Sequence, residues 1–155
     1  MGFRDFSLHI DQTKVERFAR DLASGRITAT RCKSCGTEFF PPRADCFRCM
    51  ASDMEWIPLD TRGRLATFTM IHVPPEHFAS KTMMPFSSIT LQPCPVGLLE
   101  IEGGLRIMGW IPHVEPENLR IGMPLKGVPH TLPDGKVTIL LEPVDTVPEP
   151  GNQRA

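Results

Sequence analysis

The chain has 155 residues, 41% of them hydrophobic and 23% charged, which excludes a disordered or fibrous protein. Its net charge is −1, with +2 over residues 1–64 and −3 over residues 65–155, so the longer half lacks the cationic face that nucleic acids require. Prolines interrupt the longest uncharged stretch, and no hydrophobic signal region opens the chain. We therefore expect a cytoplasmic protein that does not span a membrane.

Residues 11–24 are predicted to form an amphipathic helix. Its apolar side chains repeat at helical spacing: Val15, Phe18, Ala19 and Leu22. Thr13 and Glu16 match a capping box, and Gly25 stands where a C-terminal cap belongs. Because the apolar stripe is short, we expect the helix to dock on the barrel of its own chain or on another subunit.

Four of the five cysteines form two identical Cys-x2-Cys pairs: Cys32, Cys35, Cys46 and Cys49. Cytosolic reductants disfavour disulfides, and this paired spacing predicts a tetrahedral thiolate site for one structural zinc ion per chain. An iron site of the rubredoxin type has the same geometry, and a redox dithiol is a further alternative. Four thiolates fill the coordination sphere, so the metal is expected to stabilise the fold and to take no part in catalysis.

The rest of the chain is predicted to be strands. Sixteen prolines disfavour a helical bundle and suit short strands with many corners. After the ribbon we expect barrel strands at residues 64–73, 96–102, 105–111, 125–128 and 136–144. Gly103 and Gly104 mark one hairpin turn, and Pro133, Asp134 and Gly135 mark another.

Five strands with glycines at the corners predict a small closed barrel of the OB type. The chain is therefore predicted to be mainly β, with an N-terminal helix, a rubredoxin-like zinc ribbon and a five-stranded OB-fold barrel. The predicted boundaries are an N-terminal helical segment at 1–26, the zinc ribbon at 27–58, the barrel at 59–145 and a flexible tail at 146–155.

The connection from Pro74 to Pro95 is long for a barrel loop and carries large apolar side chains. Methionine and phenylalanine together are typical of an adaptable contact surface. We therefore expect this loop to contact a partner or a substrate through Phe78, Met83, Met84 and Phe86. The alternative is a flap that folds back on its own barrel.

No catalytic residue is predicted. Cys94 lies between prolines, which supply neither a helix N-terminus nor a base to activate its thiol. The histidines are dispersed, and Glu100 and Glu102 alternate with apolar residues as on a solvated sheet face. A self-sufficient acyl-CoA hydrolase using Cys94 or His77 remains an alternative.

Helix, ribbon and barrel in this order resemble the acyl-CoA-associated zinc-ribbon/OB-fold family, also called DUF35. The first matching segments contain the cysteines, namely Arg31–Gly36 and the run from Pro41 to Cys49. Glu55 and Trp56 follow, and three segments of the barrel match as well: 63–69, 97–101 and 121–125. Together they spread over residues 13–144, nearly the whole chain.

The resemblance implies a partner protein in place of an active site. Family members are small subunits or domains that associate with thiolase-type enzymes, related acyltransferases or acyl-CoA hydratases. It thus implies a non-catalytic accessory subunit of a thiolase-type acyl-CoA acyltransferase complex, in a 2:2 hetero-oligomer with a thiolase-like large subunit. The ribbon would dock on that subunit, and the barrel would help to form the site for acyl-CoA.

Two alternatives to this role stay open. One is an accessory subunit of an acyl-CoA hydratase, and the other is a nucleic-acid-binding module, because ribbons and OB-folds serve that purpose elsewhere. Residues 65–145 hold five Lys and Arg against eight Asp and Glu, which disfavours nucleic acid as a ligand.

Overall fold

A computed structural model of the chain describes residues 14–72, 94–112, 114–132 and 135–144. Over these residues the fold is mainly β, as predicted, with one α-helix, α1 (Lys14–Ala23). Among them no helix is long and apolar enough to cross a membrane. The predicted loop contacts Phe78, Met83, Met84 and Phe86 lie outside the described residues, as does the predicted tail.

The strands form two sheets. The first is antiparallel with the order β2–β1–β3, and its strands are β1 (Thr28–Cys32), β2 (Glu38–Phe39) and β3 (Met54–Pro58). The second is a closed barrel with the order β4–β5–β6–β8–β7. Its strands are β4 (Arg62–Ile71), β5 (Cys94–Ile101), β6 (Arg106–Trp110), β7 (Pro124–Thr131) and β8 (Val137–Pro143). The five-stranded barrel is thereby confirmed.

The barrel encloses the main hydrophobic core. Its fully buried side chains are Leu65, Leu99, Ile107, Ile111, Leu125 and Leu141. Gly97 and Gly109 are paired across β5 and β6 and also face this core. A Cβ atom on Gly97 would lie 2.6 Å from Cδ1 of Leu65, and one on Gly109 would lie 2.7 Å from the carbonyl oxygen of Ile139. The narrow barrel therefore needs glycine at both positions.

Helix α1 docks on its own chain, where it packs against β1, β7 and β8. Phe18 meets Phe40 edge-on with ring centroids 5.8 Å apart, and Leu22 joins the barrel core. Gly25 ends the helix with a φ of +80°, as its position predicted. The expectation for Val15 was wrong, because its side chain is 77% exposed and lies off the docked face.

Polar contacts connect the helix to the ribbon. The carboxylate of Asp21 is almost completely buried and accepts hydrogen bonds from Thr28 Oγ1 and from Arg26 Nη2, both at 3.0 Å. The guanidinium of Arg17 lies 4.6 Å from the ring centroid of Trp56 on β3. Since the same helix packs on the barrel, it holds the ribbon and the barrel in one arrangement.

Two details of the barrel differ from the sequence prediction. Strand β7 continues to Thr131, because it pairs with β8 along its whole length beyond Leu125. The predicted strand ended at residue 128; Pro129 lies beyond it and is tolerated because β7 there pairs with β8 alone. Glu102 begins a tight 3-10 turn and is not on a strand, since Gly103 takes a φ of +83° and reverses the chain.

Candidate metal centre and second-knuckle patch

The first cysteine pair lies in the turn that joins β1 to β2. The carbonyl oxygen of Cys32 accepts a hydrogen bond from the N–H of Gly36 at 2.8 Å. The N–H of Cys32 in turn donates to the carbonyl oxygen of Thr37 at 2.9 Å. This tight turn, with Gly36 at a φ of +73°, presents the sulfurs of Cys32 and Cys35 together.

The second cysteine pair repeats the same turn. The carbonyl oxygen of Cys46 accepts from the N–H of Met50 at 2.8 Å, and the N–H of Cys46 donates to Ala51 at 2.9 Å. Met50 therefore stands where the first turn has Gly36, and it takes a φ of +61°. A left-handed conformation costs a residue with a side chain roughly 1–2 kcal/mol. The sequence prediction missed this strained methionine.

The two turns bring four sulfur atoms together. All four lie within 4.8 Å of one another, with Cys32 and Cys49 3.5 Å apart and Cys35 and Cys46 3.6 Å apart. Zn–S bonds of about 2.3 Å in a tetrahedron require sulfurs about 3.8 Å apart, so the four cysteines are positioned to bind a metal ion. A set of four sulfurs leaves no ligand position for a substrate.

Cys35 and Cys49 hold their thiol protons unequally. A hydrogen bond with the Thr37 hydroxyl, 3.2 Å away, is the main reason that the pKa of Cys35 falls to about 6. A backbone hydrogen bond from Ala51 lowers the pKa of Cys49, but the neighbouring thiols of Cys32 and Cys35 raise it, to about 12 overall. Metal binding must therefore displace protons from this cluster.

Two cations of the ribbon are held by carboxylates. Arg31 lies 2.7 Å from Glu38 and 3.4 Å from Glu55, and Lys33 lies 2.8 Å from Asp53. These carboxylates raise the pKa of both basic groups. Both cations already have carboxylate partners, which reduces their attraction for an anionic ligand such as nucleic acid.

The second turn exposes large apolar side chains. Phe47 is 66% exposed and Met50 is 82% exposed. The guanidinium of Arg43 lies 5.2 Å from the ring centroid of Phe47, and these three residues border a hollow of about 570 Å³. We call each Cys-x2-Cys turn a knuckle, and we call Arg43, Phe47 and Met50 the second-knuckle patch.

The sequence contained a signal for this patch. The first turn has the sequence Cys-Lys-Ser-Cys-Gly, and the second has the sequence Cys-Phe-Arg-Cys-Met. Phe47, between the two cysteines, and Met50, directly after them, are exposed at the positions where the first turn has a lysine and a glycine.

Within the described residues, the remaining chemical candidates do not gather into a site. Cys94 is 5% exposed at the start of β5, and burial raises the pKa of its thiol to about 11. It therefore stays protonated at neutral pH. His72 and His130 are exposed, whereas His77 lies outside the described residues together with His9 and His113.

Comparison with protein families gives two adjacent matches. The family described as "ChsH2, rubredoxin-like zinc ribbon domain" matches residues 20–55. The family described as "ChsH2, C-terminal OB-fold domain" matches residues 56–129. The two matches cover most of the chain and meet within β3, the last strand of the ribbon sheet.

Curated relatives carry the description "DUF35 domain-containing scaffold protein". That of Methanocaldococcus jannaschii is 33% identical over 103 residues, 66% of this chain and 66% of the relative. That of Methanothermobacter thermautotrophicus is 27% identical over 62% of this chain and 65% of the relative. That of Pyrococcus furiosus is 26% identical over 74% and 77%. The chain thus spans just under two thirds of the first two relatives.

Two solved structures share the fold. One is described as an Ltp2-ChsH2(DUF35) aldolase, with a TM-score of 0.68 and 20% identity over 88% of this chain and 98% of that chain. The other is a DUF35 protein of unknown function from Sulfolobus solfataricus, with a TM-score of 0.55 and 17% identity over 84% and 85%. At these identities the likeness concerns the fold alone.

Proposed function

Since the chain belongs to the DUF35 family, in which a zinc ribbon precedes an OB-fold, we propose that it is a non-catalytic accessory subunit of a thiolase-type acyl-CoA acyltransferase complex. The observation that carries this proposal is the second-knuckle patch beside a four-sulfur cluster. The cluster has no open ligand position for chemistry, while the patch leaves Phe47 and Met50 in water. Curated relatives described as scaffold proteins support a role in assembly.

One zinc ion per chain would be held by the four cysteine sulfurs. Bound there, it supplies structural stabilisation, because the ribbon sheet buries little apolar surface: its own cluster comprises Cys32, Phe39 and Cys46. The match to a zinc ribbon domain and the spacing of the sulfurs support zinc as the metal. The fixed turns then hold Phe47 and Met50 in the positions from which they contact the partner.

The patch has the chemistry of a protein contact. Aromatic residues, methionine and arginine are enriched at protein interfaces, and the methionine thioether adapts to partners of different shape. Arg43 adds a cation that stacks on Phe47 and has no carboxylate within salt-bridge distance in the described part of the chain. A large subunit with an apolar hollow and an acidic rim would cover this patch.

The acyl-CoA ligand is assigned to the complex and not to this chain alone. In this proposal the large subunit supplies the acyl-accepting cysteine and the acid–base groups, and the barrel completes the channel. Phe78, Met83, Met84 and Phe86 are the proposed contacts with acyl-CoA or with the partner. A 2:2 stoichiometry follows if the large subunit is a dimer.

The test is co-expression with a thiolase-like large subunit, followed by measurement of mass, affinity and acyl transfer. We expect a hetero-oligomer whose turnover needs both chains. Phe47→Ser should weaken binding about tenfold or more, because it removes a large ring from the contact. Val15→Ser is the matched control, since Val15 is as exposed but lies on α1. Equal binding by the Phe47 variant, or full activity of the large subunit alone, would refute the proposal.

An aldolase complex is the second candidate. The fold shared with a chain described as an Ltp2-ChsH2(DUF35) aldolase favours it. The two candidates differ in the bond that the complex cleaves, so the co-purified complex should be assayed for thiolysis of a 3-ketoacyl-CoA and for retro-aldol cleavage of a 3-hydroxyacyl-CoA. Cleavage of the 3-hydroxy compound alone would replace the acyltransferase assignment and leave the accessory role in place.

A further inference from the structure

The outer wall of the barrel presents a second exposed surface, on strands that follow the ribbon in the chain. Strands β4, β5 and β6 are neighbours there, and their register aligns outward side chains in rows. One row contains Thr67, Leu98 and Met108, and the next contains Arg64, Glu100 and Arg106. Six residues of these rows and of the adjoining turn form what we call the barrel-wall surface: Arg64, Leu98, Glu100, Arg106, Met108 and Ile121.

This wall lies away from the helix, since α1 packs against β1, β7 and β8. Met108 is 66% exposed and Ile121 is 70% exposed. Single exposed apolar residues are ordinary on protein surfaces. Here the register places Met108 directly opposite half-buried Leu98. Ile121 precedes Gly122, whose carbonyl oxygen binds Arg64. The apolar side chains therefore border the row of charged residues.

The charged row is unbalanced. Glu100 Oε2 accepts a hydrogen bond from Arg106 Nε at 3.0 Å, so this carboxylate already has its cation. Arg64 donates from Nη1 to the carbonyl oxygen of Gly122 at 3.1 Å. In the described part of the chain no carboxylate lies within salt-bridge distance of Arg64. The row therefore carries one positive charge that is not neutralised.

We propose that the barrel-wall surface is a second contact with the large subunit, and that it binds an apolar protein surface carrying a carboxylate opposite Arg64. This inference rests on the proposed function. A second copy of this chain fits the wall poorly, because its own wall presents the same excess positive charge and no unpaired carboxylate for Arg64.

The fold makes the two contacts cooperative. Helix α1 packs on the barrel and is joined to the ribbon by the Asp21–Thr28 and Arg17–Trp56 contacts. The second-knuckle patch and the barrel-wall surface are therefore held at a fixed separation. Once one surface is bound, the other meets its target at a high effective concentration. Loss of either surface should then mainly speed dissociation.

The experiment measures binding of the full zinc-loaded chain to the large subunit by surface plasmon resonance. We expect the double variant Met108→Thr, Ile121→Thr to bind about tenfold or more weaker, mostly through faster dissociation. Threonine preserves strand propensity at Met108 on β6, Ile121 lies in an exposed turn, and thermal melting of the isolated chain checks the fold. Arg64→Gln keeps a donor for Gly122 but removes the charge, and it should weaken both the affinity and its dependence on salt. Val15→Ser serves again as the exposed control.

The outcomes separate the two proposals. If the wild-type chain does not bind the large subunit, the proposed function fails and this inference fails with it. If the wild-type chain binds, the Phe47→Ser variant binds weakly and all the wall variants bind normally, only the wall contact is overturned. If the wild-type chain self-associates and the Met108 and Ile121 substitutions abolish this without affecting the hetero-complex, the occupant is a second copy and the inference is also wrong.

Discussion

Replacing Met50 with glycine should stabilise the ribbon and at the same time weaken the complex. Met50 has a φ of +61°, and the equivalent position in the first turn is already Gly36. Relief of the left-handed strain gains roughly 1–2 kcal/mol, and the greater freedom of glycine in the unfolded chain offsets about 0.5–1 kcal/mol of it. A net gain of about 1 kcal/mol remains, because an 82% exposed side chain gives up little burial.

The assay has two readouts. A gain of about 1 kcal/mol should raise the Tm of the zinc-loaded chain by about 2–4 °C. Binding to the large subunit should fall, because the thioether is lost from the contact. Gly36→Ala is the matched control: it places a side chain at a φ of +73°, so it should lower the Tm while leaving binding unchanged.

Two results would refute this reasoning. A lower Tm for Met50→Gly would mean that the left-handed turn is not strained in the folded chain. A higher Tm with undiminished binding would mean that the methionine is not part of a contact. Higher stability with weaker binding is the combination that indicates a side chain retained for a function and not for the fold.

Two further predictions concern the cysteines. The wild-type chain should bind about one zinc ion, and Cys46→Ser, which removes a fully buried ligand, should abolish this binding and unfold the ribbon, as NMR would show. An ordered, metal-free ribbon would contradict the assignment. For Cys94, burial favours the protonated thiol and raises its pKa from 9.0 to about 11, so its thiolate fraction at pH 7–8 should be roughly 100-fold below that of a free thiol. Alkylation of Cys94 itself in the folded, zinc-loaded chain, located by peptide mass spectrometry, should accordingly be slow until the pH approaches 11, and Cys94→Ala should leave the activity of the complex unchanged. Rapid alkylation of Cys94, or loss of activity with the complex intact, would restore the nucleophile.

Local spacing explains why the ribbon could be predicted. Two residues between cysteines fix one tight turn whatever the rest of the chain does, so Cys32 and Cys35 were predictable as a pair, and so was the glycine that follows them. The barrel was predictable for a similar reason, since Gly103 and Gly104 mark a hairpin between two strand patterns. The division at residues 27–58 and 59–145 remains a prediction.

Features that depend on tertiary packing could not be predicted in this way. Val15 fits the apolar stripe by its spacing, yet its side chain is 77% exposed because it lies off the face of α1 that packs on the rest of the chain. The end of β7 depends on its pairing with β8, which outweighs the local signal of Pro129. The alignment of Met108 with Leu98 depends on register between strands, and the sequence alone contains no measure of that register.

The metal centre and the exposed patch have a common physical origin. The ribbon is a sheet of three short strands, and beyond the sulfur cluster its buried side chains are mostly small ones on β1, with Phe39 on β2. Because so small a sheet buries little large apolar surface, we expect metal binding to supply much of its folding free energy. Side chains on the outside of the second turn then matter less to the fold. Phe47 keeps its ring against Phe39, with centroids 5.0 Å apart, yet remains 66% exposed, and Met50 can keep a strained backbone because a bound metal would offset the loss. A four-sulfur site without an open ligand position and a turn that exposes apolar side chains are two consequences of the same architecture.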